Sequence, residues 1–168
     1  HHDFEQRYQP EHRDAVVGER KAIQKLLRDA GALLIAGGHI AVLLHRMRLF
    51  DVTGLYGDRP VVAWSAGAMA LCERIVLFHD SPPQGSSDPE VMEAGLALVP
   101  DFVALPHAKH RLATADALRM RLLAQRFQPA CCALLDKRSR FDWDGRSWRA
   151  HAGSRQLLPG GEAAEVGQ

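Results

Sequence analysis

Apolar residues recur along this chain at two spacings, and the alternation between them predicts its architecture. Between Gly18 and Ala30, the residues Ile23, Leu26, Leu27 and Ala30 repeat at the i, i+3, i+4, i+7 spacing of an amphipathic helix. Ala32-Leu33-Leu34-Ile35-Ala36 is then an unbroken apolar run closed by Gly37-Gly38. Such a run predicts a strand buried on both faces, as in a parallel sheet. A second helix follows directly, with Ile40, Leu43, Leu44 and Met47 on one side. Pro60 to Trp64 is another short apolar strand, and Ala66 to Cys72 carries the small residues of a helix start, with Ser65 at the junction.

Ile75 to Phe78 predicts a further strand, and the Pro- and Ser-rich segment Ser81 to Pro89 predicts a loop. Phe102-Val103-Ala104-Leu105 leads into Pro106-His107. A helix is expected over Ala113 to Phe127, stopped by Pro129, and a strand over Cys131 to Leu135. Beyond it no helix is expected. Phe141-Asp142-Trp143 and Arg146-Ser147-Trp148 flank Asp144-Gly145, which predicts a tight two-residue hairpin turn. The expected fold class is therefore α/β: a mostly parallel sheet with helices on both faces and a small C-terminal antiparallel hairpin. One domain spans residues 1–168, with a tail from position 159 that frays over Gly160 to Gln168.

Composition agrees with one soluble globule. The 168 residues make about one domain at roughly 150 residues each. A hydrophobic fraction of 46% supplies a core, which excludes a disordered or collagen-like chain. Lys and Arg number 21 against 20 Asp and Glu, so the basic excess expected of a nucleic-acid or anionic-membrane partner is missing. Cys72, Cys131 and Cys132 cannot make an even disulfide framework, which favours a reducing, cytoplasmic setting. There is no C-x-x-C or H-E-x-x-H, so no metal or cofactor is expected. The longest uncharged apolar stretch, Gly31 to Val42, is far short of the ~20 residues that span a bilayer, and no signal peptide opens the chain. His1-His2 are read as tag residues and set aside.

The chemistry gathers at strand ends. In Trp64-Ser65-Ala66-Gly67-Ala68 a serine stands between strand and helix among residues small enough for a sharp turn, which raises its Oγ above the sheet edge. Ser65 is read as a nucleophile, against the plainer role of a helix N-cap. His107, just after an apolar strand and Pro106, reaches the same rim as a base; His79 and His110 compete with it. Asp80 ends the Ile75 strand and would orient the imidazole, although an Asp before Pro82-Pro83 is also an ordinary turn residue. The backbone amides of Gly38 and Ala66 are the expected oxyanion donors. Gly37-Gly38 also reads as a bare turn; with no G-x-G-x-x-G or G-K-[ST], a nucleotide loop is disfavoured.

Three stretches carry a resemblance: Ala30 to Gly38, then Trp64 to Ala68, then Gly95-Leu96-Ala97-Leu98-Val99-Pro100 leading to Pro106-His107. Together they resemble the dipeptidase E and cyanophycinase family of serine peptidases, over roughly Gly18 to Leu158. The resemblance implies the fold of class I glutamine amidotransferases with serine in place of cysteine. It also implies Ser65 as nucleophile, His107 as base and Gly38 with Ala66 as oxyanion donors. In the dipeptidase E branch the acid lies fifteen residues past the nucleophile, and 80 − 65 = 15 lands on Asp80. His39, where the family usually has an amide or acid, lies near the substrate; His110 and Arg111, just past the base, are candidates to meet a substrate carboxylate, against the plainer reading of a solvated helix start. Ala108 replaces the family's usual aromatic after the histidine. The family's long glycine-rich βαβ unit has only His1 to Val17 in its place, so a lost sheet edge or a segment outside this sequence is expected.

The expected function is hydrolysis of a peptide or peptide-like amide bond through an acyl-enzyme. The expected partner is a small peptide or peptide-like substrate; a homodimer is left open, because an apolar helix face packs equally well on a sheet or on a second copy. An ordinary α/β-hydrolase esterase is disfavoured because its acid and histidine lie far downstream of the serine, whereas here the span is 107 − 65 = 42 residues. The alternative from another class is a noncatalytic relative that binds a small ligand or serves as an interaction module.

Overall fold

The computed structural model describes residues 2–79 and 89–167. Helices are α1 His2–Tyr8, α2 Asp14–Arg28, α3 Ile40–Leu49, α4 Val52–Tyr56, α5 Ala66–Leu71, α6 Ala108–Arg111 and α7 Ala117–Phe127, with a 3-10 turn at Pro10–His12. Strands are β1 Leu33–Ile35, β2 Val61–Ala63, β3 Arg74–Leu77, β4 Glu90–Ala94, β5 Phe102–Pro106, β6 Cys131–Leu135, β7 Phe141–Trp143, β8 Trp148–Ala150, β9 Ser154–Leu157 and β10 Ala163–Val166. The class is α/β. Strands β1 and β2 pair in parallel, as do β5 and β6, while β3–β4, β6–β9, β9–β10 and β7–β8 are antiparallel. The largest sheet runs β10-β9-β6-β5.

The alternation along β5 shows how the core is divided. Val103 and Leu105 join Cys132, Leu134 and Leu157 under the inner face of α7, where Met120, Leu123, Ala124 and Phe127 are buried. Phe102 and Ala104 point the other way, into a second cluster with Ala133, Leu44 of α3, Met69 of α5 and Ile75. Both faces of β5–β6 are thus covered, and every residue of β5 is buried. Each fully buried Phe or Leu in these layers contributes about 1.5–3 kcal/mol of hydrophobic stabilisation.

The β1–β2 pair is covered on one face only. Ile35 packs with Met47 and Ala70, while Leu34, Val62 and Trp64 remain 63%, 54% and 48% exposed. The expectation that the Ala32–Ala36 run is buried on both faces therefore fails at Leu34, because α3 and α5 both pack on the side of Ile35.

Other boundaries differ for local reasons. The helix expected over Ala113–Phe127 starts at Ala117, where Asp116 accepts a hydrogen bond from the Arg119 amide as N-cap. A separate single turn, α6, precedes it. The hairpin loop is four residues rather than two, since Trp143 pairs with Trp148 and the Asp144 carboxylate takes the Arg146 and Ser147 amides. The tail does not fray: Ala163–Val166 adds to the sheet edge along Leu157–Ser154. The loop expected over Ser81–Pro89 lies outside the described residues up to position 88.

Arginines close the ends of helices whose last carbonyls lack intrahelical donors. The Arg59 guanidinium donates to Leu27, Arg28 and Ala30 carbonyls at 2.7, 3.2 and 2.8 Å, donates twice to Tyr56 O, and lies 4.1 Å over the Tyr56 ring. Arg74 does the same for α7, donating to Arg126 O and Phe127 O. Replacing Arg59 with Met, which keeps the apolar stem, is expected to lower stability by about 1–3 kcal/mol through the lost charge-assisted bonds. Urea unfolding reads this as a lower midpoint with an unchanged slope; an unmoved midpoint would show the cap to be idle.

Candidate active site

Strand β2 ends at Ala63, the Trp64 amide still donates to Ile35 O at 3.1 Å, and the chain then turns into α5 within one residue. That residue is Ser65, at φ 54° and ψ −127°. A side chain with a Cβ is rarely held at positive φ. The turn is forced by how closely α5 approaches β1: a Cβ on Gly67 would stand 2.2 Å from Ile35 O, so only glycine fits there. Gly37 flanks the serine equally closely, since a Cβ on it would lie 2.9 Å from Ser65 Cβ and 3.0 Å from Oγ. The far end of α5 is closed by backbone rather than by a side chain. The amides of Leu96, Leu98 and Val99 donate to Ala70 O, Leu71 O and Leu71 O at 2.8, 2.9 and 3.2 Å. The Gly95–Pro100 stretch is thus the C-terminal cap of the serine's helix.

His107 leaves β5 as Ser65 leaves β2. It adopts a left-handed conformation, φ 57° and ψ 37°, its amide donates to Leu135 O at 3.1 Å, and α6 begins at the next residue. Its Nε2 lies 3.5 Å from Ser65 Oγ across 42 residues of sequence. This is the outer limit of a hydrogen bond, and catalytic contacts are commonly this long before substrate tightens them. The structure thus brings Ser65 and His107 together. Gly38 (φ 140°) closes the β1 turn beside Gly37, and Ala66, 4% exposed, opens α5, where first-turn amides have no intrahelical acceptor.

The other expected residues fall out differently. Asp80 lies outside the described residues. His79 is engaged elsewhere, its Nε2 2.9 Å from Glu90 Oε1 at the end of the β3–β4 ladder. His39 stands exposed at the N-cap of α3, two residues from Gly37, and His110 is exposed on α6. The Arg111 guanidinium lies 5.0 Å over the Phe78 ring.

One acidic residue of this rim escapes a reading of the sequence. Asp136 is the first residue after β6, and the parallel register pairs Pro106 with Leu135, so Asp136 and His107 leave neighbouring strands side by side. Its Oδ1 accepts the Lys109 amide at 3.1 Å, while Oδ2 is buried with no hydrogen-bond partner among the described residues. The available signal was its place: it follows the apolar run Cys131–Leu135 as His107 follows Phe102–Pro106.

Comparison with known proteins gives the family. A family model, Peptidase family S51, matches residues 3–139. The chain belongs to peptidase family S51. It is also similar to a curated "Peptidase E" of Shewanella baltica (strain OS185), 33% identical over 64 residues. That match covers 35% of this chain and 27% of the relative. No solved structure matches the chain.

No helix among the described residues is long and apolar enough to cross a membrane. Among the same residues no group of three or more His, Cys, Asp or Glu is placed to hold a metal.

The three thiols stand apart from the Ser65–His107 contact. Burial pushes Cys72 and Cys132 up to about 12 and Cys131 up to about 11, so all three are protonated at neutral pH. The thiolate is the nucleophilic form. Iodoacetamide at pH 7.5 should therefore label the native protein far more slowly than the urea-unfolded chain, as read by intact mass; equal rates would contradict the burial.

Proposed function

We propose that this protein is a serine peptidase that hydrolyses a peptide or peptide-like amide bond through a covalent Ser65 acyl-enzyme. The observation that carries this reading is the 3.5 Å approach of His107 Nε2 to Ser65 Oγ at the strained strand-to-helix turn. As Ser65 Oγ attacks the carbonyl carbon, its proton passes to His107 Nε2. The carbonyl oxygen becomes an oxyanion held by the Gly38 and Ala66 amides, at about 3 kcal/mol per donor. Collapse of the tetrahedral intermediate breaks the C–N bond, and His107 gives its proton to the leaving amine. Water, deprotonated by the same imidazole, then releases the acid and regenerates the serine.

The orienting acid in this reading is Asp80, from its fifteen-residue spacing past Ser65 in the dipeptidase E branch. His39 and His110 are its substrate-facing residues, and a small peptide is its substrate. The two parallel pairs, β1–β2 and β5–β6, support the class I glutamine amidotransferase-like arrangement, with a mostly parallel sheet. Three unpaired cysteines support a cytoplasmic setting.

A fluorophosphonate probe small enough for the turn is expected to label the wild type at Ser65, with no label in Ser65→Ala and labelling slowed about a hundredfold or more in His107→Ala. A dipeptide library is expected to be cleaved by the wild type and not by Ser65→Ala. Equal turnover by the two proteins would refute the nucleophile. An unlabelled and inactive wild type would favour the ligand-binding alternative.

The acid is tested separately. Asp80→Asn is expected to lower kcat by about 10²–10⁴ with KM little changed, the pattern of a lost imidazole orienter. Asp136→Asn is expected to cost roughly tenfold or less. The opposite order in steady-state kinetics would transfer the orienting role to Asp136, whose buried Oδ2 is the observation favouring it.

A further inference from the structure

His107 is held by a segment too short to hold itself. Four residues of α6 make a single turn, and an isolated turn of helix is unstable. Its supports come from three sides. Ala108 and Leu112 are buried against the β5–β6 core, Asp136 caps the Lys109 amide, and Arg111 crosses to Phe78. Val76 of β3 shares the core cluster with Ala108 and Leu112, and the last support reaches the residue that follows β3. Phe78 directly follows that strand, packs against both main core clusters, and stands two residues before Asp80. Arg111 is also tied directly to the imidazole's residue, because its amide donates to His107 O at 3.1 Å.

We propose that Arg111 is a positioning residue that fixes His107 by stacking its guanidinium on Phe78, tying the segment that carries the base to the segment that leads to Asp80. This role rests on the serine-peptidase reading and differs from the carboxylate contact expected of Arg111 from the sequence. A guanidinium 5.0 Å from a ring centroid is attracted by the ring's quadrupole, so it restrains α6 in a way a neutral side chain of equal length does not. The half-buried ring is itself anchored by the core. The restraint therefore acts on the imidazole's approach to Ser65 and leaves the substrate's own contacts untouched.

The test compares Arg111→Met, which keeps the stem and loses the cation, with Arg111→Lys, which keeps a cation without the flat fork, and with Phe78→Leu and the Arg111→Met/Phe78→Leu pair. The second-order rate of fluorophosphonate labelling at Ser65 needs no peptide substrate. Arg111→Met is expected to slow it about fivefold, Arg111→Lys to recover part of the loss, and the pair to be no slower than the slower single variant. In dipeptide hydrolysis the loss should fall on kcat. Labelling at the wild-type rate in Arg111→Met, or a loss confined to KM, would overturn the proposal and return Arg111 to substrate binding. Amide hydrogen exchange gives a readout free of chemistry. Lys109 to Leu112 should exchange faster in Arg111→Met than in wild type, with Arg111→Lys between them. Unchanged exchange there overturns the stack's role even if the wild type proves inactive. An unlabelled wild type with faster exchange in Arg111→Met would refute the serine reading alone.

Discussion

The structure depends on how closely α5 is brought down onto the end of β1. Gly67 lies so near Ile35 O that no side chain fits between them, and the chain must therefore reverse within the single residue Ser65. Holding a serine at φ 54° costs about 1–3 kcal/mol, which the surroundings must offset. They do so by burial and hydrogen bonding at both ends of the helix. Ala66, Gly67, Met69 and Ala70 are buried, the Trp64 amide extends the β1–β2 ladder, and the Leu96–Val99 backbone closes the last carbonyls. The strain is thus concentrated at one hydroxyl-bearing residue whose neighbours cannot relax. A serine serving only to cap a helix would need none of this, and α5 has no side-chain cap hydrogen bond from Ser65 at all.

The same logic applies to the base. His107 is another non-glycine residue at positive φ, again immediately after a strand and before a helix. Two strained exits at the carboxyl ends of parallel strands bring an oxygen and a nitrogen within 3.5 Å although 42 residues separate them in sequence. Parallel pairing sends the exits of β1 and β2 to one end, and those of β5 and β6 likewise, and the packing of α5 on β5 sets the two pairs against each other. Asp136 joins the rim by the same rule.

What was readable in the sequence follows from which forces are local. The runs at Leu33–Ile35, Val61–Ala63, Phe102–Pro106 and Cys131–Leu135 are strands because their apolar character is nearly continuous; α3 follows from helical spacing and α5 from its small residues. Ser65 and His107 were legible because a polar residue that ends such a run has only a few directions in which to leave. The misses are decided by partners remote in sequence. Ala163–Val166 is too short and too Ala-rich to signal a strand by itself, and it becomes one along the free edge of β9. Glu90–Ala94 likewise takes its form from β3 rather than from its own charged composition. Asp136 stands out in the sequence only by following an apolar run, and the β5–β6 register reveals it as a neighbour of His107.

Arginine placement was the least legible feature, because a guanidinium reads in sequence as solvated charge. In the fold, Arg59 and Arg74 spend most of their donors on helix-terminal carbonyls, and Arg48 donates to Ala94 O and Gly95 O while pairing with Glu93. Arg48 therefore ties α3 to the strand-to-loop junction that runs into the cap of α5. Surface ion pairs alone contribute little, about 0–1 kcal/mol each. A forked donor that satisfies otherwise unpaired carbonyls contributes more, because without it those groups lose their partners. With modest net charge, a short α5 and a single-turn α6, this protein uses its arginines as connectors between segments that cannot hold their own geometry. The precision of the Ser65–His107 contact thus rests partly on side chains that never approach it.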